Sequence, residues 1–440
     1  MLSIKGLSFS YEDGERIFDD LSLSMDEGER ILILSPPGSG KTTLSKILSG
    51  ALGEDDGELS GYSFSIDGDD VLSLCDSRRS AFVARVSQDS SELFVFPTLW
   101  DEVAFPMAAR KVPYDEIRMK ADEIIGYYDL GKLSESSVME LSGGEMRRLS
   151  LASADALSSK LYIYDESFDE LSKGYRERIK EIIGEKKYAI VLASRFLECF
   201  EGFFDKMYTI SRGRLSLLSS VPKYSLSFQH AEIEEEHELR VENLSFSLSH
   251  ESSSFHSALE LRVPSFSLKS GGIKLLTGEN GSGKSTFSKL LVGLYQESTG
   301  TFSLDGVRIG SKDRKRRISY LMQDPFPSLY LPRVRDELES VSSDNERIEE
   351  AMAVFSLKGD EYVSTLSFGK AKMLQSAIYY LLRRPFVILD EPDVALSYAD
   401  VEKVVDAFLS TGAGILLITH DENIKKMGYE GYTISDGVLS

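Results

Sequence analysis

Short apolar runs, separated by polar and glycine-rich stretches, form two similar series along the chain. Each series opens with alternating apolar and polar residues, at residues 4–11 and 240–248, a period typical of strands with one buried face. Later runs, such as residues 161–164 and 386–389, are apolar throughout, as in parallel strands covered on both faces. Between them, both series contain a strand-like run, a glycine-rich loop and a helix-forming segment, in that order. The pattern predicts an α/β fold that is built twice.

The same ordered motifs accompany both series. SPPGSGKTT at residues 35–43 and LSGGE at residues 141–145 belong to the first series, and GENGSGKST at residues 278–286 and LSFGK at residues 366–370 belong to the second. Matched residues keep similar separations: 243 positions between Lys41 and Lys284, 235 between Gln88 and Gln323, and 225 between Glu166 and Glu391. This agreement indicates a duplicated domain.

The length of the chain is sufficient for two complete domains. With 440 residues, it has room for two domains of about 200 residues, each with its own core. We expect a first domain at residues 1–220, a linker at residues 221–238 and a second domain at residues 239–440. The linker ends in the acidic run AEIEEEHE at residues 231–238, which we interpret as a solvated connector.

Composition narrows the classes of function. A formal net charge of -21 argues against a nucleic-acid-binding protein, because phosphate contacts need clustered Lys and Arg. The two cysteines, Cys75 and Cys199, lie far apart and outside any metal-ligand spacing, which indicates reduced structural thiols in a cytosolic protein. No apolar stretch approaches the ~20 residues of a membrane-spanning helix, and the N-terminus lacks the features of a signal peptide. We therefore expect a soluble chain, with any membrane part supplied by another chain.

The second glycine-rich loop matches the pattern G-x-x-x-x-G-K-[ST] in full. Glycines in such a loop let backbone N–H groups surround phosphates, and the following helix points its positive end at them. Lys284 is expected to reach the β- and γ-phosphates of a nucleotide, and Ser285 is expected to hold Mg²⁺. The predicted binding residues of this loop are Gly278, Glu279, Asn280, Gly281, Ser282, Gly283, Lys284, Ser285 and Thr286.

The first loop has Ser35 where the second has Gly278, which would strain the backbone if this position needs a positive φ. The other key residues of the pattern are present, so we expect this loop to bind a nucleotide as well. Its predicted binding residues are Ser35, Gly38, Ser39, Gly40, Lys41, Thr42 and Thr43.

An Asp-Glu pair ends one apolar run in each series, Asp165 with Glu166 and Asp390 with Glu391. At the end of a core strand the Asp can hold Mg²⁺, and the Glu can polarise an attacking water. A solvated acidic turn is the simpler alternative. The similar spacing of both pairs from the upstream motifs favours the chemical interpretation.

The LSGGE motif places Ser142, Gly143 and Gly144 at a predicted helix start, where a hydroxyl and backbone N–H groups can bind an anion. Together with the phosphate loop and the Asp-Glu pair, this motif resembles the ATPase domain of ABC transporters, and the resemblance covers nearly the whole chain, twice. It implies ATP and Mg²⁺ as cofactors and two tandem P-loop NTPase domains of the ABC type. Each domain would combine a mainly parallel core sheet, an antiparallel β subdomain and a helical subdomain that carries the signature.

The resemblance also implies that the two domains pair head to tail, with ATP between the phosphate loop of one and the signature of the other. Site II would join the second phosphate loop to the first signature, and site I would join the first loop to the second signature, Ser367, Phe368 and Gly369. Phe368 puts a ring where the family has Gly, so closure of site I should be impaired. The implied catalytic residues are Glu391, His420, Gln323 and Glu166. The implied Mg²⁺ ligands are Ser285, Gln323 and Asp390 in site II and Thr42, Gln88 and Asp165 in site I.

Site I departs from the family pattern at a further position. Aligning YAIVLASRF with AGILLITHD places Arg195 opposite His420, and the family's His at this position contacts the γ-phosphate. An Arg stays protonated, so it could clamp phosphate without exchanging a proton, or it could be an ordinary surface residue.

Two departures concern the base and the coupling of the sites. Tyr11 occupies the place of the family's adenine-stacking aromatic, whereas the second series has Leu248 there. Stacking in site II would then be weaker or would come from Phe246 or another residue. Ser172 and Ser397 replace an Asp that helps to couple the two sites in the family, which puts this coupling in doubt.

The segment at residues 87–105 looks like one in the ATPases of energy-coupling-factor and cobalt/nickel-type importers. In that group it contacts a membrane scaffold protein, so Phe94, Phe96, Leu99 and Trp100 form either a docking surface or ordinary core. We therefore expect a fused twin ATPase, peripheral at the cytoplasmic face of the cell membrane. It would power such an importer together with a membrane-embedded scaffold and a separate substrate-binding membrane component, and no nucleic acid is expected as a partner. Site II would hydrolyse ATP, and site I would mostly hold it.

Two other functions remain open. Soluble ABC proteins that act on ribosomes or in translation also have twin domains and an LSGGE-type signature, although they have a long charged helical arm and two intact sites. An ATP-gated binding protein with little turnover would follow if Phe368 and Leu248 are more damaging than assumed here.

Overall fold

The computed structural model describes residues 1–11, 16–53, 56–87, 94–168, 171, 173–221, 226–229, 236–248, 259–279 and 281–440. The chain divides into two compact units, residues 1–222 and 223–440. Each unit has its own sheet system, helices and hydrophobic cores.

The strands of the first unit form two sheets. They are β1 (Leu2–Tyr11), β2 (Arg16–Met25), β3 (Arg30–Leu34), β4 (Gly57–Ser60), β5 (Ser63–Ile66), β6 (Asp69–Asp70), β7 (Val83–Val86), β8 (Leu161–Asp165), β9 (Tyr188–Ala193), β10 (Lys206–Ser211) and β11 (Arg214–Leu217). The smaller sheet is antiparallel, with the order β2-β1-β5-β6 and with β4 also paired to β1. The core sheet has the order β11-β10-β3-β9-β8-β7 and is parallel except at β11.

Six α-helices accompany these strands within the described part of the first unit. They are α1 (Lys41–Ser49), α2 (Asp76–Arg79), α3 (Leu99–Ala109), α4 (Tyr114–Tyr127), α5 (Gly143–Ala156) and α6 (Lys173–Gly184). Helix α1 follows β3 directly through the first phosphate loop, and α3, α4 and α5 pack on one another as a helical subdomain. Helix α5 carries the first signature at its start.

The second unit repeats this plan in one continuous sheet. Its strands are β12 (Glu238–Leu248), β13 (Leu259–Lys269), β14 (Ile273–Gly278), β15 (Thr299–Leu304), β16 (Val307–Arg308), β17 (Ile318–Leu321), β18 (Phe386–Asp390), β19 (Gly414–Ile418), β20 (Gly431–Ser435) and β21 (Val438–Leu439). Their order is β16-β15-β12-β13-β21-β20-β14-β19-β18-β17. The strands β20, β14, β19, β18 and β17 are parallel to their neighbours within this run.

Among the residues that the structure describes, eight α-helices complete the second unit. They are α7 (Lys284–Val292), α8 (Ser311–Arg317), α9 (Val334–Glu339), α10 (Asn345–Val354), α11 (Phe368–Leu382), α12 (Pro392–Ala395), α13 (Tyr398–Ser410) and α14 (Glu422–Lys425). Helix α7 follows the second phosphate loop, and α11, which packs on α9 and α10, begins within the second signature.

The central core strands are rich in apolar residues because both faces of each core sheet are covered. In β3, Ile31 and Ile33 enter the core cluster beneath α1, whereas Leu32 and Leu34 enter the cluster on the opposite face. Successive side chains of a strand point to opposite faces, so burial on both sides demands an unbroken apolar run. The predicted α/β fold, with a parallel core sheet, an antiparallel β part and a helical signature part in each half, is confirmed.

Part of the expected linker is fixed to the second unit. The Phe228 side chain is buried and its ring stacks on Tyr429 with centroids 5.8 Å apart, while the Ser227 N–H donates to Glu402 at 2.6 Å. The acidic run that we interpreted as a solvated connector lies outside the described residues at 231–235. Of its remaining residues, Glu236 forms an ion pair with Lys269 at 2.6 Å. Residues 226–229 are therefore attached to a domain surface and are not a free connector.

Within the described ranges, no helix has both the length and the apolar character needed to cross a bilayer.

Candidate functional site

Each phosphate loop turns the chain from a core strand into a helix that begins with the loop lysine. Gly40 and Gly283, which precede these lysines, have φ values of 95° and 110°. A Cβ at Gly40 would lie 2.6 Å from Cγ2 of Ile17, so glycine is required there by both conformation and space. The loops therefore adopt the turn that the sequence pattern predicts.

Both loop lysines fold back onto their own loops. Lys41 Nζ donates to the carbonyls of Ser35 at 2.7 Å and Pro36 at 3.0 Å, and Lys284 Nζ donates to those of Gly278 at 2.9 Å and Glu279 at 3.0 Å. Burial lowers the pKa of both lysines, because the charged form loses its hydration. A phosphate in the loop would add negative charge beside these ammonium groups.

Ser35 closes the first loop without the strain that we considered. Among the described residues, the non-glycine positions with positive φ do not include Ser35, whereas Gly278 has a φ of 147° and a Cβ there would lie 2.5 Å from the Ile434 carbonyl oxygen. The Ser35 hydroxyl accepts the Ile210 N–H at 2.7 Å. The serine side chain thus bonds to the neighbouring strand β10, and the loop backbone takes a different path at its first residue.

Three buried polar atoms at the loops lack a hydrogen-bond partner among the described residues. They are Ser39 Oγ, Ser282 Oγ and His420 Nε2. A buried polar atom without a partner is costly, and phosphate oxygens would satisfy such atoms. The residues present therefore fit a nucleotide phosphate. Asn280, another predicted binding residue, lies outside the described residues.

The two strand-end aspartates are buried and accept hydrogen bonds from different side chains. Asp165 accepts from Thr42 at 3.3 Å and from Ser45 at 2.8 Å, whereas Asp390 accepts from the hydroxyl of Tyr320 at 2.6 Å. Burial raises the pKa of both carboxyl groups, and these hydrogen bonds oppose the increase. A cation bound beside either carboxylate would stabilise its charged form.

The donors around each aspartate fit Mg²⁺, which prefers hard oxygen ligands. Thr42 and Asp165 would hold the ion in the first unit, and Ser285, Gln323 and Asp390 would hold it in the second; Gln88 lies outside the described residues. When bound, the ion would offset the negative charge of the phosphates. In the first unit, Arg85 is half-buried on β7, and its positive charge already acts on Asp165. Arg85 therefore competes with Mg²⁺ for this carboxylate.

Sequence reasoning missed Arg85. Its counterpart on β17 is Tyr320, since Arg85 pairs with Ile163 and Tyr320 pairs with Ile388 in the two core sheets. Aligning β7 with β17 would have revealed the exchange of a cation for a neutral hydroxyl.

The two candidate catalytic glutamates share a backbone conformation but contact different side chains. Glu166 and Glu391 have φ values of 48° and 47°, a left-handed conformation that non-glycine residues rarely adopt. In the second unit, Glu391 accepts from Gln323 Nε2 at 3.1 Å and lies 3.4 Å from His420 Nε2. The three predicted residues Gln323, Glu391 and His420 thus lie together.

In the first unit, Glu166 contacts its own phosphate-loop lysine. Its Oε1 lies 3.4 Å from Lys41 Nζ, and its carboxylate accepts from both the N–H of Ser194, at 3.0 Å, and the Ser194 hydroxyl. The Ser194 hydroxyl in turn accepts from Lys41 at 3.0 Å. The carboxylate of Glu166 therefore contacts the lysine of the first phosphate loop and the residue that follows strand β9.

The residue opposite His420 is Ser194, not Arg195. Ile33 of β3 pairs with Leu192, and the matching Leu276 of β14 pairs with Ile418. Ser194 lies two residues after Leu192, and His420 lies two residues after Ile418. The two residues therefore occupy equivalent positions in the two units. Our alignment was wrong by one residue, because apolar runs of similar composition do not define a register, whereas the hydrogen-bond ladder does.

The two signatures both begin helices, capped by Ser142 and Ser367. The Ser142 hydroxyl takes part in a capping box with Glu145, and Gly143 and Gly144 open α5. In the second signature, the Ser367 hydroxyl accepts the Lys370 N–H at 3.3 Å. Both serines thus lie at helix N-termini, as an anion-binding role requires.

Phe368 opens α11, followed by Gly369. Its ring is partly buried against the second unit's core and meets Phe326 edge-on, with centroids 6.2 Å apart. The bulk of Phe368 therefore adds to the surface beside the second signature, where the first signature has only Gly143.

Tyr11 lies beside the first phosphate loop. Its hydroxyl is 2.9 Å from Thr43 Oγ1, and its ring packs edge-on against Phe9. In the second unit, Phe246 is buried and stacks on Tyr295 with an interplanar angle of 8°. Phe246 is therefore a core residue and does not replace Tyr11 as a stacking platform. The side chain of Leu248 is outside the part of the chain that the structure describes.

Each signature helix also supports the segment that precedes the glutamine loop. Arg147 of α5 donates to the Ser87 carbonyl at 2.6 Å, and Lys372 of α11 donates to the carbonyls of Met322 and, at 3.4 Å, Gln323. Burial lowers the pKa of Lys372 to about 8. These two cations were absent from the sequence interpretation, although both stand five residues after a signature serine.

The loop that follows each glutamine presents an exposed apolar residue on a rigid support. In the first unit, buried Glu102 accepts the N–H groups of Val95 and Phe96, each at 3.0 Å. In the second, buried Glu337 accepts those of Leu331, at 2.6 Å, and Tyr330. Val95 and Tyr330, which are 235 positions apart like the two glutamines, are 75% and 83% exposed.

The apolar residues that we singled out in this region divide into two groups. Leu99 is fully buried in the first unit's core, and Phe94 and Trp100 pack against that core. Phe96 stays half-buried and its ring lies 4.8 Å from that of Phe105, which is exposed. Leu99 is therefore not part of any docking surface, because a helix inserts this side chain inward.

Comparison with known proteins agrees with this geometry. A family model described as ABC transporter matches residues 18–169 and 261–394. A putative ABC transporter ATP-binding protein of Treponema denticola is 26% identical over 100% of this chain and 96% of its own length. The putative HMP/thiamine import ATP-binding protein YkoD of Bacillus subtilis is also 26% identical, over 96% of this chain and 87% of its own.

The solved structures with similar folds include an archaeal protein. An archaeal ribosome recycling factor, aABCE1, solved in complex with the ribosomal stalk protein aP1, aligns with a TM-score of 0.64 and 18% identity. The alignment covers 99% of this chain and 89% of that one. At this identity the likeness shows the fold alone.

We expect Gly40→Ala to lower the free energy of unfolding of the first unit by about 1–3 kcal/mol, because a Cβ is unfavourable at a φ of 95° and overlaps Ile17. Urea denaturation followed by the fluorescence of Trp100, the one tryptophan in the chain, would measure it. Gly174→Ala in α6 is the control, since a Cβ there meets no described atom within 4 Å. It should leave the stability unchanged or raise it by up to about 1 kcal/mol. Equal losses in both variants would contradict this view of the loop.

Proposed function

The chain belongs to the ABC transporter family, whose ATP-binding proteins are ATPases, and from this premise we propose that it powers a membrane importer of energy-coupling-factor or cobalt/nickel type. The family model covers parts of both halves, so the protein is a tandem ATPase. The observation that carries the catalytic part of the proposal is the different environment of Glu391 and Glu166. Glu391 faces Gln323 and His420, whereas Glu166 is bound to Lys41 and Ser194.

The second phosphate loop would hydrolyse ATP in a composite site, site II, completed by Ser142, Gly143 and Gly144. In this proposal, Glu391 polarises the attacking water, and Lys284 and His420 contact the phosphates. His420 Nε2 is suited to this because it is buried and lies 3.4 Å from Glu391 Oε1.

The first phosphate loop would hold ATP in site I, opposite Ser367 and Gly369. Three features support slow turnover there: a serine at the position of His420, a glutamate engaged by its own lysine, and Phe368 in the signature. Tyr11 would move from Thr43 to stack on the adenine.

The partners of the proposed importer would dock on the two loops that follow the glutamines. Val95 and Tyr330 are exposed apolar residues whose backbone is held by the buried carboxylates of Glu102 and Glu337. Rigid apolar anchors of this kind are favourable for binding a partner, because little conformational entropy is lost. The proposed partners are a membrane-embedded scaffold and a substrate-binding membrane component, at the cytoplasmic face of the membrane. The similarity to the protein named as a putative HMP/thiamine import ATP-binding protein is consistent with an importer.

A soluble role on ribosomes is the second candidate. The fold is similar to that of the archaeal recycling factor, but the formal net charge of -21 disfavours binding to RNA. Affinity purification from solubilised membranes distinguishes the importer from the ribosomal role.

Glu391→Gln should abolish steady-state ATP hydrolysis, and Glu166→Gln should leave most of it, because only Glu391 lies with Gln323 and His420. Turnover of the purified full chain at saturating ATP is the measurement, and ATP binding of both variants is the control. Equal losses would rule out the asymmetric assignment. Negligible turnover of the unaltered chain, even with its membrane partners present, would favour an ATP-gated binding protein.

Affinity purification of the tagged chain from solubilised membranes should recover integral membrane proteins. Val95→Lys and Tyr330→Lys together should remove them, because a charge at an apolar anchor has to be desolvated on binding. Leu217→Lys and Val307→Lys, each at an exposed apolar side chain elsewhere, should have no effect. Recovery of ribosomal proteins instead would support the soluble alternative.

A further inference from the structure

A buried hydrogen-bond network lies on both chain sides of His420. Thr419, the preceding residue, donates from Oγ1 to Asp393 Oδ1 at 2.9 Å and accepts the N–H of Asp421 at 2.9 Å. All three of these side chains are buried. Asp393 in turn lies two residues after Glu391, so the network ties the segment of the glutamate to the segment of the histidine.

Tyr398 connects the same network to helix α13. Its hydroxyl donates to Asp421 Oδ2 at 2.6 Å and accepts from Asn423 Nδ2 at 2.9 Å. The other carboxylate oxygen of Asp421 accepts the N–H groups of Asn423 at 2.8 Å and Ile424 at 3.1 Å, which begin α14. Both oxygens of Asp421 are thus engaged, and the residue after His420 is fixed from two directions. Hydrogen bonds to a charged acceptor are about twice as strong as neutral ones.

The described residues at the corresponding positions of the first unit have different side chains. The strand register places Ala193 and Arg195 at the positions of Thr419 and Asp421, and Phe168 stands 225 positions before Asp393. Phe168 is buried, and its ring packs between those of Tyr164 and Phe200, each with centroids 5.5 Å away. An aromatic side chain in aromatic packing thus stands in the first unit where the carboxylate of Asp393 stands in the second.

We propose that Tyr398 is a positioning residue for hydrolysis at the second phosphate loop, which acts by holding the segment Thr419–His420–Asp421 so that His420 stays on Glu391. The proposal rests on the proposed function, in which Glu391 and His420 belong to the hydrolysing site. Without the Tyr398 hydroxyl, Asp421 loses one of its bonds and the histidine segment gains freedom. The contacts of Lys284 are untouched, since its partners are the carbonyls of Gly278 and Glu279. The rate of hydrolysis should therefore fall while the binding of ATP is retained.

The first test is the kinetics of Tyr398→Phe in the full chain. We expect kcat to fall about tenfold with KM for ATP changed less than about twofold, because geometry at the reacting atoms affects the rate more than the affinity. Tyr380→Phe is the matched control: its hydroxyl also donates to a carboxylate, that of Glu350 at 3.0 Å, but in the helical part of the second unit. An unchanged kcat in Tyr398→Phe, or an equal fall in both variants, would overturn the proposal.

The second test observes His420 directly in the nucleotide-free protein. With ¹⁵N-labelled histidine, and with His420→Gln to assign its signal, Tyr398→Phe and Thr419→Val should each shift the imidazole resonances of His420, and Tyr380→Phe should not. Asp421→Asn is a further variant if either fails to fold, as it keeps an oxygen for the α14 N–H groups. Absence of any shift would overturn the positioning role.

Comparison of Glu391→Gln with Tyr398→Phe distinguishes a failure of the proposed function from a failure of the proposed role of Tyr398. If Glu391→Gln retains full turnover, the assignment of the hydrolysing site is wrong, whatever the resonances of His420 show. If Glu391→Gln is inactive and Tyr398→Phe is fully active, the site is right and the role of Tyr398 is wrong.

Discussion

The register of the parallel strands in each core sheet is the constraint on which the candidate site depends. In the first unit β9 pairs with both β3 and β8, and in the second β19 pairs with both β14 and β18. The carboxyl ends of parallel strands meet at one edge, so the phosphate loop, the Asp-Glu pair and the segment of Ser194 or His420 come together there. Segments more than 100 residues apart along the chain thereby reach hydrogen-bond distance, as between Lys41 Nζ and the Ser194 hydroxyl at 3.0 Å.

On this shared backbone, a few side chains give the two units different chemistry. Glutamates with the same left-handed conformation face Gln323 and His420 in one unit and Lys41 and Ser194 in the other. The backbone conformation is thus preserved where the side-chain environment is not. An ATPase that keeps both loops but has one favourable arrangement of base and switch residue would use its two nucleotides unequally, as we propose.

Burial prepares the site for charged ligands. Desolvation lowers the pKa of Lys41 and Lys284 and raises the pKa of Asp165 and Asp390, and the neighbouring groups of opposite charge offset only part of this effect. Phosphate beside the lysines and Mg²⁺ beside the aspartates would offset this cost. The source of the nearby positive charge differs between the units: Arg85 on β7 acts on Asp165, whereas Asp390 has the Tyr320 hydroxyl at that strand position and the charge of Lys372 from α11.

The sequence by itself determined the duplicated α/β plan, both phosphate loops, the strand-end acids and the helix-capping signatures. Each of these depends on local spacing and on the period of apolar residues, which short stretches of chain express directly. Only the tertiary structure decided that Ser194 and not Arg195 lies opposite His420, that Leu99 is core, and that Tyr398 bonds to Asp421. Neighbouring apolar strands can slide in an alignment without penalty, and a side chain's partner is set by register, burial and distance between segments far apart in the chain. These quantities exist only once the chain has folded.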